Sequence, residues 1–69
     1  MMIINSAAVQ AAMLRLGVGV TELAKIAEIP PKTISALHRR DKPVFLPTLA
    51  RLAKALNVSP MELVKKEVA

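Results

Sequence analysis

Apolar side chains along this chain recur at intervals of three and four, in short runs broken by glycine, proline or clustered charge. That spacing lines up one face of an α-helix, which turns once in about 3.6 residues. Val9, Ala12, Met13 and Leu16 make the first such face, within an alanine-rich stretch Ala7–Leu16. Asn5 and Ser6 precede it and Gly17 follows. Asn or Ser before a helix accepts from its orphan amides, and glycine after it supplies a left-handed stop. A second helix, roughly two turns long, is predicted over Thr21–Glu28 with Leu23, Ala24 and Ala27 inward and Ile26 at the edge. Ile29-Pro30-Pro31 interrupts it, because proline lacks the amide hydrogen and crowds the preceding turn. Proline suits the first position of a new helix, so a third helix is predicted from Pro31 to about Arg39.

The charged run Arg39-Arg40-Asp41-Lys42-Pro43 reads as a loop. Pro47 then opens a fourth helix that carries Leu49, Leu52, Ala53 and Leu56 inward and stops at Asn57. In Ser59-Pro60-Met61-Glu62 the serine caps, the proline takes the first helical position and the glutamate completes a capping box. A short fifth helix is expected there, with Leu63 inward and Lys65 and Lys66 near its end, where cations suit the helix dipole. The pattern predicts five short helices, with no strands, repeats or linker. Met1–Ile4, four apolar residues ahead of the first cap, either pack back on the core or form part of a dimer contact.

Composition sharpens the picture. At 69 residues the chain is read as one domain spanning 1–69 and is only marginally able to bury a core. Its hydrophobic share of 54% is too high for a disordered tail. Phe45 is the sole aromatic residue, and the prevalence of Ala and Leu, both strong helix formers, points to an all-α bundle. With no cysteine there is no disulfide framework or thiolate metal site, and His38 alone cannot complete a zinc site. No cofactor or metal is expected. The start of the chain lacks the charged, long apolar form of a secretory signal. No stretch reaches the roughly 18–20 apolar residues of a membrane span. A soluble, cytoplasmic protein is therefore expected.

Enzymatic signatures are missing: there is no glycine-rich phosphate loop and no Ser/His/Asp order. Glu22 with Glu28, and Glu62 with Glu67, are read as solvated surface, and His38 as exposed without a special role. Ten Lys and Arg against five Asp and Glu give a net charge of +5, which favours a polyanionic partner.

The third helix carries the candidate chemistry. Winding it at about 100° per residue puts Ile34 and Leu37 on one side and Lys32, Ala36 and Arg39 on the other, with Ser35 at the flank. Buried Ile and Leu would fix the helix, small residues would let its backbone approach base edges, and Lys or Arg can reach guanine. From Lys32 to Lys42 four cations (Lys32, Arg39, Arg40, Lys42) stand against one acid, Asp41, a local net of +3. Phosphate contacts normally flank base contacts in this way.

Thr21-Glu22-Leu23-Ala24, Thr33-Ile34-Ser35 and the run Leu49-Ala50-Arg51-Leu52-Ala53-Lys54-Ala55-Leu56-Asn57-Val58-Ser59 together resemble the Cro/C1-type helix-turn-helix family. Phe45-Leu46-Pro47-Thr48-Leu49-Ala50 is similar to the DNA-binding domains of lambdoid phage repressors. The likeness runs from about Leu16 to Val64 in order. It implies a compact five-helix, lambda-repressor-like domain whose helices 2 and 3 form the helix-turn-helix. Carried onto this chain, it places Pro31, Lys32 and Ala36 where the family reads bases. Thr33, Arg39, Arg40 and Lys42 fall at or near its backbone-contacting positions. It also implies dimers on two half-sites about 34 Å apart. Because related repressor domains pair through the end of the fourth helix, Asn57, Val58 and Met61 become the candidate dimer contacts.

Two departures stand out. Glu28 occupies a turn where the family often has glycine, and positive φ is costly for other residues, so another turn geometry is expected. Pro31 stands where a polar reader is usual and cannot donate to a base, which shifts direct readout toward Lys32 and Arg39. The reading is a double-stranded-DNA-binding regulator, prokaryotic or phage-encoded and associated with the nucleoid, and more readily a repressor than an activator. An antitoxin with the same fold, or a protein-interaction module that has lost DNA binding, stands as the alternative.

Overall fold

Three of the helices end in the same way, and those endings set the path of the chain. The computed structural model describes residues 2–65. In it, β1 (Met2–Ile3) leads to α1 (Ser6–Leu16), α2 (Val20–Ala27), α3 (Pro31–Arg39), β2 (Pro43–Val44), α4 (Leu46–Leu56) and a 3-10 helix at Pro60–Leu63. Gly17, Glu28 and Asn57, each just past α1, α2 and α4, all adopt the left-handed conformation. The apolar residue after each then folds its amide back onto the helix: Val18 to Met13, Ile29 to Ala24, Val58 to Ala53, all at 3.0–3.1 Å. This satisfies carbonyls that the helix end would leave orphaned and returns a hydrophobic side chain to the core. Ile29 is buried, while Val18 and Val58 pack half-buried against the core.

The turn at Glu28 therefore corrects an expectation. It is left-handed, with φ 58° and ψ 44°, although the residue is not glycine. The strain of roughly 1–2 kcal/mol for a left-handed side-chain-bearing residue is outweighed by burying Ile29, at about 1.5–3 kcal/mol for a large aliphatic side chain.

The expected inward residues of α2 and α4 are all buried, as are Val9, Ala12 and Met13 of α1. Leu16 is not: at 45% exposed it lies outside the core, because the chain reverses at Gly17 and Val18 takes the place against the bundle. Ile4, Val9, Leu23, Ile34, Leu49, Leu52, Leu56 and Leu63 are the largest fully buried side chains, and no polar or charged side chain is buried among the described residues. Asn5 accepts from the amide of Ala8 and caps α1. Ser59 and Glu62 form the expected capping box.

Two further expectations are corrected. The predicted fifth helix is a four-residue 3-10 helix, too short for a ladder of i to i−4 bonds, so the α-helices among the described residues number four, with one 3-10 turn. Strands are present where none was predicted. Met2 pairs with Val44 and Ile3 with Pro43, antiparallel, and Ile4 bridges Val64. Backbone bonds run from Ile4 N–H to the Lys42 carbonyl (2.8 Å) and from Lys65 N–H to the Ile3 carbonyl (2.8 Å). The apolar N-terminal segment thus packs back on the core, with Ile4 fully buried and Met2 and Ile3 each 41% exposed. Expectations that fell on Met1, Lys66 and Glu67 lie outside the described residues. No single helix among the described residues is long and apolar enough to cross a membrane, and α1 and α2 meet at a bend of 95°.

Candidate nucleic-acid interface

The third helix is held from behind and open in front. Ile34 and Leu37 are buried, fastening α3 against α1 and α2. Pro31 takes the first turn, and the Pro30 carbonyl accepts from the amides of Thr33 (3.0 Å) and Ile34 (3.2 Å). Two successive prolines give the start of this helix neither an amide at Pro30 and Pro31 nor a side-chain cap, so it offers an anion fewer donors than most helix N-termini.

On the open face Pro31, Lys32, Thr33 and Arg39 are exposed, while Ser35 and Ala36 are half-buried. The small residues form a floor between long cationic side chains. Arg40 and Lys42 stand exposed on the loop that follows. Lys32, Thr33, Ala36, Lys42, Phe45 and Thr48 line one groove of about 400 Å³ between α3, the loop and the start of α4. None of Lys32, Arg39, Arg40 or Lys42 is ion-paired with another described residue; the one ion pair among those residues joins Lys65 and Asp41.

Phe45 and Leu46, 68% and 58% exposed, were not singled out as site residues by their sequence positions. The signal was present in one respect, since Phe45 is the only aromatic residue of the chain. In the sequence Asp41 is the one acid among four cations of the 32–42 stretch. In the structure its Oδ1 accepts from the Ser6 amide (2.9 Å) and the Ser6 hydroxyl (3.0 Å), and its Oδ2 lies 2.9 Å from Lys65 Nζ. The Lys65 ammonium, then the Ser6 amide and hydroxyl, hold the carboxyl well below its ordinary value of 3.8, at about 2. Lys65 is thereby an ion-pair partner rather than a helix-dipole cation.

His38, expected to be exposed, is half-buried. Its Nδ1 is buried without a hydrogen-bond partner, and its carbonyl accepts from Gln10 Nε2 of α1 (2.5 Å). Of the candidate dimer residues, Asn57 and Met61 are exposed, Met61 by 78%. Val58 shares its side chain with the protein's own core. No group of three or more metal-ligating side chains comes together among the described residues.

A family model of the Cro/C1-type helix-turn-helix DNA-binding domain matches residues 9–67. The chain belongs to the Cro/C1-type helix-turn-helix family. The match takes in all of α2, α3 and α4 and the 3-10 helix, and it begins inside α1, leaving the N-terminal strand outside. No curated protein and no solved structure matches the chain. A Cro/C1-type domain is a DNA-binding module, typically without enzymatic activity, and Lys32, Arg39, Arg40 and Lys42 stand exposed on α3 and its loop.

Proposed function

We propose that this protein is a sequence-specific transcriptional regulator that represses by occupying a two-fold symmetric operator as a homodimer. In this reading α2 and α3 form the helix-turn-helix of a lambda-repressor-like domain, and α3 enters the major groove. Pro31, Lys32, Ser35, Ala36 and Arg39 face the bases. Thr33, Arg40 and Lys42, with Arg39 at the margin, hold phosphates. Occlusion of a promoter requires no additional domain, which favours repression, and the workplace is the nucleoid of a prokaryotic cell or one infected by phage.

The observation that carries the reading is the two-sidedness of α3 within a family-matched chain. Its buried Ile34 and Leu37 leave a face of exposed Lys32 and Arg39 over the half-buried Ser35 and Ala36. Long basic side chains can bond guanine O6 and N7, while small residues admit the edges of the bases. Because Pro31 donates no hydrogen bond, Lys32 and Arg39 carry most of the polar readout. The dimer contact is assigned to Asn57, Val58 and Met61, with the exposed Asn57 and Met61 offering the larger free surface.

Selection of bound duplexes from a random-sequence pool, followed by salt titration, tests the proposal. The expected result is a two-fold symmetric consensus with affinity falling steeply as salt rises. Weak, unselective binding to every sequence would refute operator recognition and direct attention to a protein partner, including the toxin of an antitoxin pair.

A further inference from the structure

Three segments distant in sequence meet at the foot of the basic loop. Through its two oxygens Asp41 engages Ser6 at the start of α1 and Lys65 beyond the 3-10 helix. The backbone joins the same segments: Ile4 N–H donates to Lys42, Asn5 N–H to Leu63 (2.7 Å) and Lys65 N–H to Ile3. Between α3 and β2, residues 40–42 belong to neither helix nor strand. Asp41 therefore supplies the side-chain tether of that stretch, with Arg40 on one side of it and Lys42 on the other.

An acid in this position is unfavourable for phosphate attraction taken alone. It lowers the loop's net charge beside a polyanion. Its oxygens, however, are occupied by the protein's own amide, hydroxyl and ammonium, which offsets the charge and anchors the main chain. A loop already held in its bound shape loses less conformational freedom on association.

We infer that Asp41 is a positioning residue for DNA binding. By fastening the loop to Ser6 and Lys65 it sets where the Arg40 and Lys42 side chains leave the surface. Ser6, at the start of α1 and outside the family match, thereby takes part in recognition without touching DNA. This inference rests on the proposed role of Arg40 and Lys42 as phosphate contacts.

Charge and positioning predict opposite signs, which makes the inference testable. Asp41→Ala raises the net charge by one, from +5 to +6. Charge alone then predicts tighter binding to all DNA. Positioning predicts weaker binding, by about five- to tenfold from the added ordering of the loop, on the operator and on a scrambled duplex alike, because phosphate contacts are made on any sequence. Asp41→Asn retains an acceptor for Ser6 and is expected to recover part of the loss.

The experiment titrates the full chain and both variants against the selected operator and a scrambled duplex at several salt concentrations. Thermal unfolding of each protein is recorded alongside, and binding is measured below every transition. Comparable loss on both duplexes below every transition, with Asp41→Asn intermediate, supports the inference. Binding by Asp41→Ala as tight as wild type or tighter overturns it, as does loss confined to the operator, which would place the effect on base contacts instead. A wild-type chain that selects no DNA overturns the functional reading itself, and this inference falls with it.

Discussion

Glu28 offers the most direct check on the backbone path between α2 and α3. Its φ of 58° places a side-chain-bearing residue in the left-handed region, where Cβ crowds the following carbonyl at roughly 1–2 kcal/mol. Substituting both Gly and Ala separates this strain from everything else the residue does. Each variant removes the same carboxylate, which makes no hydrogen bond or ion pair among the described residues. At an ordinary helical position Gly is less stable than Ala by about 1 kcal/mol. In the left-handed region the order inverts, so Glu28→Gly should exceed Glu28→Ala by about 1 kcal/mol after the larger unfolded-state entropy of glycine is counted. For a domain of this size that difference corresponds to about 4–8 °C in Tm. Thermal and urea unfolding followed by far-ultraviolet circular dichroism measures it, and unchanged m-values would show that the unfolded state is comparable. An alanine variant that melts at or above the glycine variant refutes the left-handed turn and the strain assigned to it.

Other perturbations address the N-terminal strand, the Asp41 tether and α3. Ile4 is fully buried and Ile3 41% exposed, so Ile4→Ala should lower unfolding free energy by about 2–4 kcal/mol while Ile3→Ala costs about 1 kcal/mol; similar losses at both positions would contradict the strand's register. The carboxyl of Asp41 is lower in the folded protein (about 2) than its ordinary 3.8, so its stabilising contribution is complete above the ordinary value and is lost as pH falls toward the folded one. The Tm advantage of wild type over Asp41→Asn should accordingly shrink between about pH 4 and pH 2, and an advantage that persists unchanged into strong acid would exclude the ionised tether. Lys32→Ala should cost about 1–3 kcal/mol on the selected operator and relax preference at one base position. Equal loss on unrelated DNA would show that Lys32 touches only phosphate.

The helices were legible along the chain, because what makes them is local. Caps at Asn5 and Ser59, prolines at the starts of α3 and α4, and apolar side chains three and four apart all act within a turn or two. The same periodicity placed Ile34 and Leu37 inside and Lys32 and Arg39 outside, so the candidate reading face was legible before any tertiary contact was known. What the tertiary structure decided lies where residues far apart meet. Met2 and Ile3 have strand partners only because Pro43 and Val44 arrive beside them, and a two-residue strand leaves no periodic trace. Asp41 looked like one more loop charge, since its partner Ser6 is 35 positions away and Lys65 is beyond the last helix. Leu16 satisfied the helical period yet stays partly in water because the turn at Gly17 gives its place to Val18. At Glu28 a local rule was overridden outright: propensity disfavours that conformation, and the burial of Ile29 imposes it. Local preferences of a few tenths to about one kcal/mol specify which segments are helical. Burial of an aliphatic side chain, worth about 1.5–3 kcal/mol, decides how their ends are tied.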